Sequence, residues 1–136
     1  MSAAIVTVTS TDSPYQVTID AAGKHHWLAD EPVDVGGGDT GPAPEQLLLS
    51  SLGACTAITL QMYASRKEWP LTGVAVALQY NPAGKPAPGQ TDISRQITLH
   101  GELSSEQRER LLQIANACPI HKALSGEIRI TSALAD

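Results

Sequence analysis

The chain holds two cysteines, and each keeps different company. Cys118 lies in NACPIHKAL, followed at once by proline and, one helical turn on, by His121. Proline after the cysteine favours the start of a new helical turn. That would place Cys118 at an N-cap, where free N–H groups and the helix dipole favour a thiolate. His121 is then close enough to pair with the thiolate or share its proton. The same residues equally describe a helix-end cysteine beside a solvated histidine. Cys55 lies in SLGACTAITLQMY, in the middle of an apolar helical run, where the surroundings disfavour a charged sulfur. Read alone it is core filler, and it becomes a nucleophile only where a charge is brought to it. On residue types alone, Cys118 is the better activated thiol.

Two charges are candidates for that role. Glu45 stands ten residues before Cys55, roughly 15 Å along a helix, so the two cannot share a site within one chain. Two such helices packed antiparallel about a two-fold would bring one chain's Glu45 to the other's Cys55. A Glu45 that takes part in chemistry therefore requires a dimer; otherwise it is an acid suited to the positive end of a helix. Arg95 stands among Ile93, Ile97 and Leu99 on the apolar face of a predicted strand. It is either a cation directed inward or an edge residue snorkelling to solvent. A metal site is not expected: Cys118 and His121 have no second closely spaced pair, and His25 and His26 point to opposite faces of a strand. GGGDTGP lacks the Lys-Ser/Thr ending of a phosphate-binding loop.

The elements that must position these residues can be read from periodicity and turn signals. Ile5–Val8, Tyr15–Ile19 and Lys24–Leu28 alternate as three strands of an antiparallel meander, with Asp12-Ser13-Pro14 and Ala22-Gly23 as turns. DEPVDVGGGDTGPAPEQ is a structured loop delivering the chain to a helix from Pro44 to Lys67. That helix is apolar all round, which predicts burial all round, and its small residues Gly53, Ala54, Cys55, Thr56 and Ala57 would admit another backbone. Val74–Tyr80 and Asp92–His100 alternate as strands. Ser104-Ser105-Glu106-Gln107 caps a second helix that stops at Cys118-Pro119. A short turn or helix over Pro119–Leu124 follows, and Ile128, Ile130 and Leu134 mark a last strand. The order βββ-α-ββ-α-β predicts an α+β class with mostly antiparallel strands.

At 136 residues the expectation is a single domain, 1–136, with a core of Leu, Ile, Val and Ala, because aromatics are 4% and Phe is absent. A charged fraction of 17% is low for a small domain and points to a surface covered by a second copy. A net charge of −5 argues against nucleic acid, which calls for clustered Lys and Arg. No secretory leader opens the chain and no apolar run reads as membrane-spanning, so the expectation is a cytoplasmic protein without a membrane partner. In a reducing compartment two cysteines are more often reactive or inert than a permanent staple.

The segments DEPVDVGGGDTGPAPEQLLLSSLGACTAITLQMYASRKEWPL and GELSSEQRERLLQIANACPIHKAL together resemble the OsmC/Ohr family of thiol peroxidases, in its branch with a CP-[IV]-H motif at the second cysteine. The resemblance implies an intertwined homodimer, with sheets from both chains wrapped around two central helices and active sites at the interface. It implies that Cys55 attacks an organic hydroperoxide and becomes a sulfenic acid, and that Cys118 condenses with it to a disulfide. It further implies that a dithiol, lipoyl-type or other, restores both thiols without a cofactor. A glutamate matching Glu45 would orient an arginine beside the thiolate. Residues 1–44 contain no arginine, where the family's characterised peroxidases carry theirs, so Arg95 is the candidate substitute, with Lys24 a weaker one. Two other readings stand beside this one. The protein could be a non-catalytic member of the fold that binds a small hydrophobic ligand. A Cys118/His121 acyl-transfer enzyme is the remaining reading, and it lacks a third orienting residue.

Overall fold

The computed structural model describes residues 5–135, which fall into two compact units, Met1–Leu48 and Leu49–Asp136. In the first, β1 (Val6–Ser10), β2 (Val17–Ala21) and β3 (His25–Ala29) form an antiparallel sheet in that order. Val8 pairs with Ile19 and Ile19 with Trp27, so the alternation seen in the sequence is the alternation of the sheet. Ile19 is buried while every residue of β1 is exposed.

The loop after β3 is organised by Asp30, a residue the sequence reading passed over. Its carboxylate accepts from the Thr40 hydroxyl at 2.6 Å and from the backbone N–H groups of Glu31, Gly38 and Thr40. At 2% exposure, these bonds are what make a buried charge tolerable. The Thr40 hydroxyl bond, with the three amides, holds the Asp30 carboxyl below its ordinary value, against burial acting the other way. A Cβ on Gly37 would lie 2.1 Å from the Glu31 carbonyl oxygen, so the chain closes around this carboxylate only with glycine there.

The helix α1 (Pro44–Lys67) has the predicted bounds, with Glu45 in its first turn. Its burial does not follow the prediction. Only Leu52, Thr56, Leu60 and Ala64, a four-residue step along one face, are buried. Ile58 and Met62 stay more than half exposed. Among the described residues only this stripe is fully covered, and Leu47, Leu49 and Ala57 are partly so. By length and composition alone α1 could cross a membrane, with a mean hydropathy of 1.4 over its best window.

In the second unit β4 (Gly73–Tyr80) and β5 (Ile93–His100) pair antiparallel, Val74 with Leu99 and Leu78 with Arg95. Gly53 of α1 admits the Leu78 side chain, whose Cδ1 would lie 2.8 Å from a Cβ at that position. At Gly53 the close neighbour is thus a strand side chain, not the backbone that the small residues were expected to admit. Ser104 caps α2 (Ser105–Ala115) in a reciprocal capping box with Gln107. Leu60 and Ala64 of α1 meet Leu111 and Ala115 of α2, with Val74, Ile97 and Leu99 packed against them. Pro119–Ser125 forms a short helix, α3. The predicted last strand does not form: residues 127–135 have no ladder partner, and Ile128, Ile130 and Leu134 are 55%, 83% and 92% exposed. A strand needs a neighbouring edge for its backbone groups, and this segment finds none among the described residues.

Candidate active site

All of the site that the structure assembles lies in the second unit. Cys118 is the N-cap of α3, with extended φ −65° and ψ 142°, followed by Pro119 in the first turn. Its sulfur accepts from the His121 backbone N–H at 3.3 Å, the bond a capping side chain makes. The sulfur-bearing residue is fully buried. Cys55 is half-buried in the middle of α1, its sulfur 4.0 Å from the Thr59 hydroxyl. Both thiols are free.

Arg95 projects from the inner face of β5, half-buried between Ile93 and Ile97. Its Nη1 donates to the Thr56 hydroxyl at 2.9 Å and to the Ala115 carbonyl at 3.2 Å. Its Nη2 donates to the Asn116 side-chain oxygen at 2.9 Å and to His121 Nδ1 at 3.2 Å. A guanidinium has no acceptor, so the imidazole must accept at Nδ1 and carry its proton on Nε2. Thr56 in turn donates to the Leu52 carbonyl at 2.7 Å, which satisfies this fully buried hydroxyl. Arg95 is thus directed inward. None of these partners is a thiol or a carboxylate. The residue it reaches on α1 is the neighbour of Cys55, about 100° around the helix from it.

Glu45 is exposed in the first turn of α1, and Lys24 is exposed before β3. Each belongs to the other unit. Beside the guanidinium a cavity of about 250 Å3 is lined by Leu52, Ile93 and Leu124 together with Thr91, Arg95, His121 and Ser125. Of the residues gathered here, sequence reasoning missed Thr56 and Asn116. Both have a readable signal, since each is a polar residue within two positions of a cysteine.

A family model described as OsmC-like protein matches residues 36–133. The chain belongs to the OsmC-like family. Its fold is that of solved family members. An OsmC-like protein from Mycoplasma pneumoniae superposes with a TM-score of 0.77 at 19% identity, covering 92% of this chain and 89% of that one. An organic hydroperoxide resistance protein OsmC from Legionella pneumophila gives 0.69 at 20% identity, covering 93% and 91%. An organic hydroperoxide resistance protein from Elizabethkingia anophelis gives 0.69 at 16% identity, covering 93% and 90%. No curated protein matches the chain.

Proposed function

We propose that this protein is a two-cysteine thiol peroxidase that reduces organic hydroperoxides, working as a cytoplasmic homodimer. The observation that carries the assignment of roles is the contrast in exposure between the thiols. Cys118 is fully buried and cannot meet a substrate, whereas Cys55 is half-buried and can. This reverses the ranking that residue types alone suggested, because access as well as thiolate character governs which sulfur attacks. Membership of the OsmC-like family, with structural neighbours named for organic hydroperoxide resistance, supports this substrate class.

In the proposed cycle the Cys55 sulfur attacks the distal peroxide oxygen. The O–O bond breaks, the sulfur is oxidised to a sulfenic acid, and the leaving alkoxide takes up a proton as an alcohol. The Cys118 sulfur then attacks the Cys55 sulfur, an S–S bond forms, and the S–O bond breaks with release of water. A dithiol reduces the disulfide by exchange and is itself oxidised. Glu45 would enter the site from the partner chain.

Free thiols are titrated before and after one equivalent of cumene hydroperoxide, with non-reducing peptide mapping. Rapid loss of both thiols into one Cys55–Cys118 disulfide, reversed by dithiothreitol, is the expected result. Thiols that stay free at stoichiometric peroxide would sink the reading. The cavity beside Arg95 favours the second reading, a protein that binds a small apolar ligand. Retention of such a ligand without peroxide turnover would carry that reading instead.

A further inference from the structure

We infer that Arg95 is a positioning residue for the disulfide-forming step, not the cation beside the attacking thiol. The inference rests on the two-cysteine reading and deepens it. Four donor contacts of one guanidinium reach Thr56, Ala115, Asn116 and His121. Thr56 follows Cys55 in the chain. Ala115 and Asn116 are the last residue and C-cap of α2, just before Cys118, and His121 is the residue whose N–H caps the Cys118 sulfur.

One rigid planar fork therefore ties the helix that carries one thiol to the turn that carries the other. A lysine, with one point of charge on a flexible stem, cannot hold such a set. With Nη1 and Nη2 so engaged, neither group is spare for Cys55. The bond to Nδ1 also fixes the His121 ring as the Nε2–H tautomer, next to the turn where Cys118 must leave its buried capping position to form the S–S bond.

The chemistry affected is closure. In the cycle the Cys118 thiol attacks the Cys55 sulfenic acid, an S–S bond forms, and the S–O bond breaks with release of water; in the test the two thiols pass two electrons and two protons to oxidised dithiothreitol, which becomes the dithiol. Full-length wild type, Arg95→Met, Arg95→Lys and Asn116→Ala are equilibrated with mixtures of reduced and oxidised dithiothreitol, and the Cys55–Cys118 disulfide is quantified by peptide mapping. Arg95→Met and Arg95→Lys are each expected to weaken closure by about tenfold, ~30 mV in potential. Asn116→Ala, a change at an exposed residue that leaves the core intact, is expected to weaken it by a smaller but measurable factor. Nitrogen NMR of the His121 ring is expected to show one neutral tautomer in wild type and a mixture in Arg95→Met.

In parallel, peroxide attack is timed in Cys118→Ser with and without Arg95→Met, by trapping the sulfenic acid with dimedone. The attack rate is expected to change by less than about threefold. Closure unchanged in folded Arg95→Lys and Asn116→Ala would overturn the inference, as would a wild type that forms no such disulfide. Attack slowed about tenfold with closure intact would also overturn it and return Arg95 to the attacking thiol. A wild type that closes the disulfide but consumes no peroxide would refute the peroxidase reading while leaving the inference standing.

Discussion

Exposure separates the two thiols, and the consequences can be drawn one residue at a time. Replacing Cys55 by serine removes the sulfur that meets substrate in the proposed cycle, so peroxide consumption is expected to fall to the uncatalysed background. Cys118→Ser should leave the first turnover within about twofold of wild type and trap the sulfenic acid, because in the proposed cycle the buried sulfur acts only afterwards. Stopped-flow peroxide loss with dimedone trapping distinguishes the two. If Cys118→Ser abolishes the first turnover while Cys55→Ser does not, the roles are reversed. Asp30 makes a different prediction, on stability and pH. Its unfolded-state value is 3.8 and its folded value lies below that, chiefly through the Thr40 hydroxyl. Its contribution is therefore complete well above 3.8 and is lost as pH falls through the folded value, since the unfolded chain takes up the proton first. The Tm of Asp30→Asn should lie below wild type at neutral pH, and the gap should close on acidification. A gap that is constant with pH would refute the assignment.

At the scale of elements, what the sequence could show was whatever depends on neighbours along the chain. Pro44 and Glu45 open α1 where predicted, and Ser104 and Gln107 close their capping box. Cys118-Pro119 starts a new helical turn as the dipeptide suggests. These are local rules of backbone donors and fixed φ. Contacts that span the chain were less legible. Arg95 on an apolar face was visible as an anomaly, but its partners lie 20 to 39 positions away and no spacing rule selects them. Asp30 was hidden among other acids, because its four bonds depend on how a glycine loop folds back. The last strand was read from alternation that is present, yet a strand is a property of two segments and its second is missing here. The capping box offers a direct check of local reasoning. Ser104→Ala should lower stability by about 1 kcal/mol in chemical denaturation, and Gln107→Ala by less. An unchanged midpoint for Ser104→Ala would mean that α2 is held wholly by Leu111 and Ala115.

The whole molecule shows more apolar surface than one chain can cover. Ile58 and Met62 on α1 and Leu112 on α2 are each more than half exposed, and Ile128, Ile130 and Leu134 stand in a segment with no ladder partner among the described residues. Such a segment is a template for pairing with another edge, and such patches mark surfaces that another chain covers. The proposed second copy would cover this surface and would also bring a Glu45 towards Cys55, which it cannot reach along its own helix. Sedimentation equilibrium should therefore give twice the chain mass of 14.3 kDa. Ile128→Asp with Ile130→Asp puts two charges where an apolar strand face would be covered, at no cost to the core of a chain in which both are exposed. The pair is expected to weaken self-association by at least about tenfold, or ~1.4 kcal/mol, with circular dichroism little changed. Peroxide turnover per chain should fall with the dimer fraction as the variant is diluted, because half of each site would be supplied in trans. Full activity in a variant shown to be monomeric would remove both the dimer and Glu45 from the mechanism at once, and leave Cys55 to work with groups of its own chain.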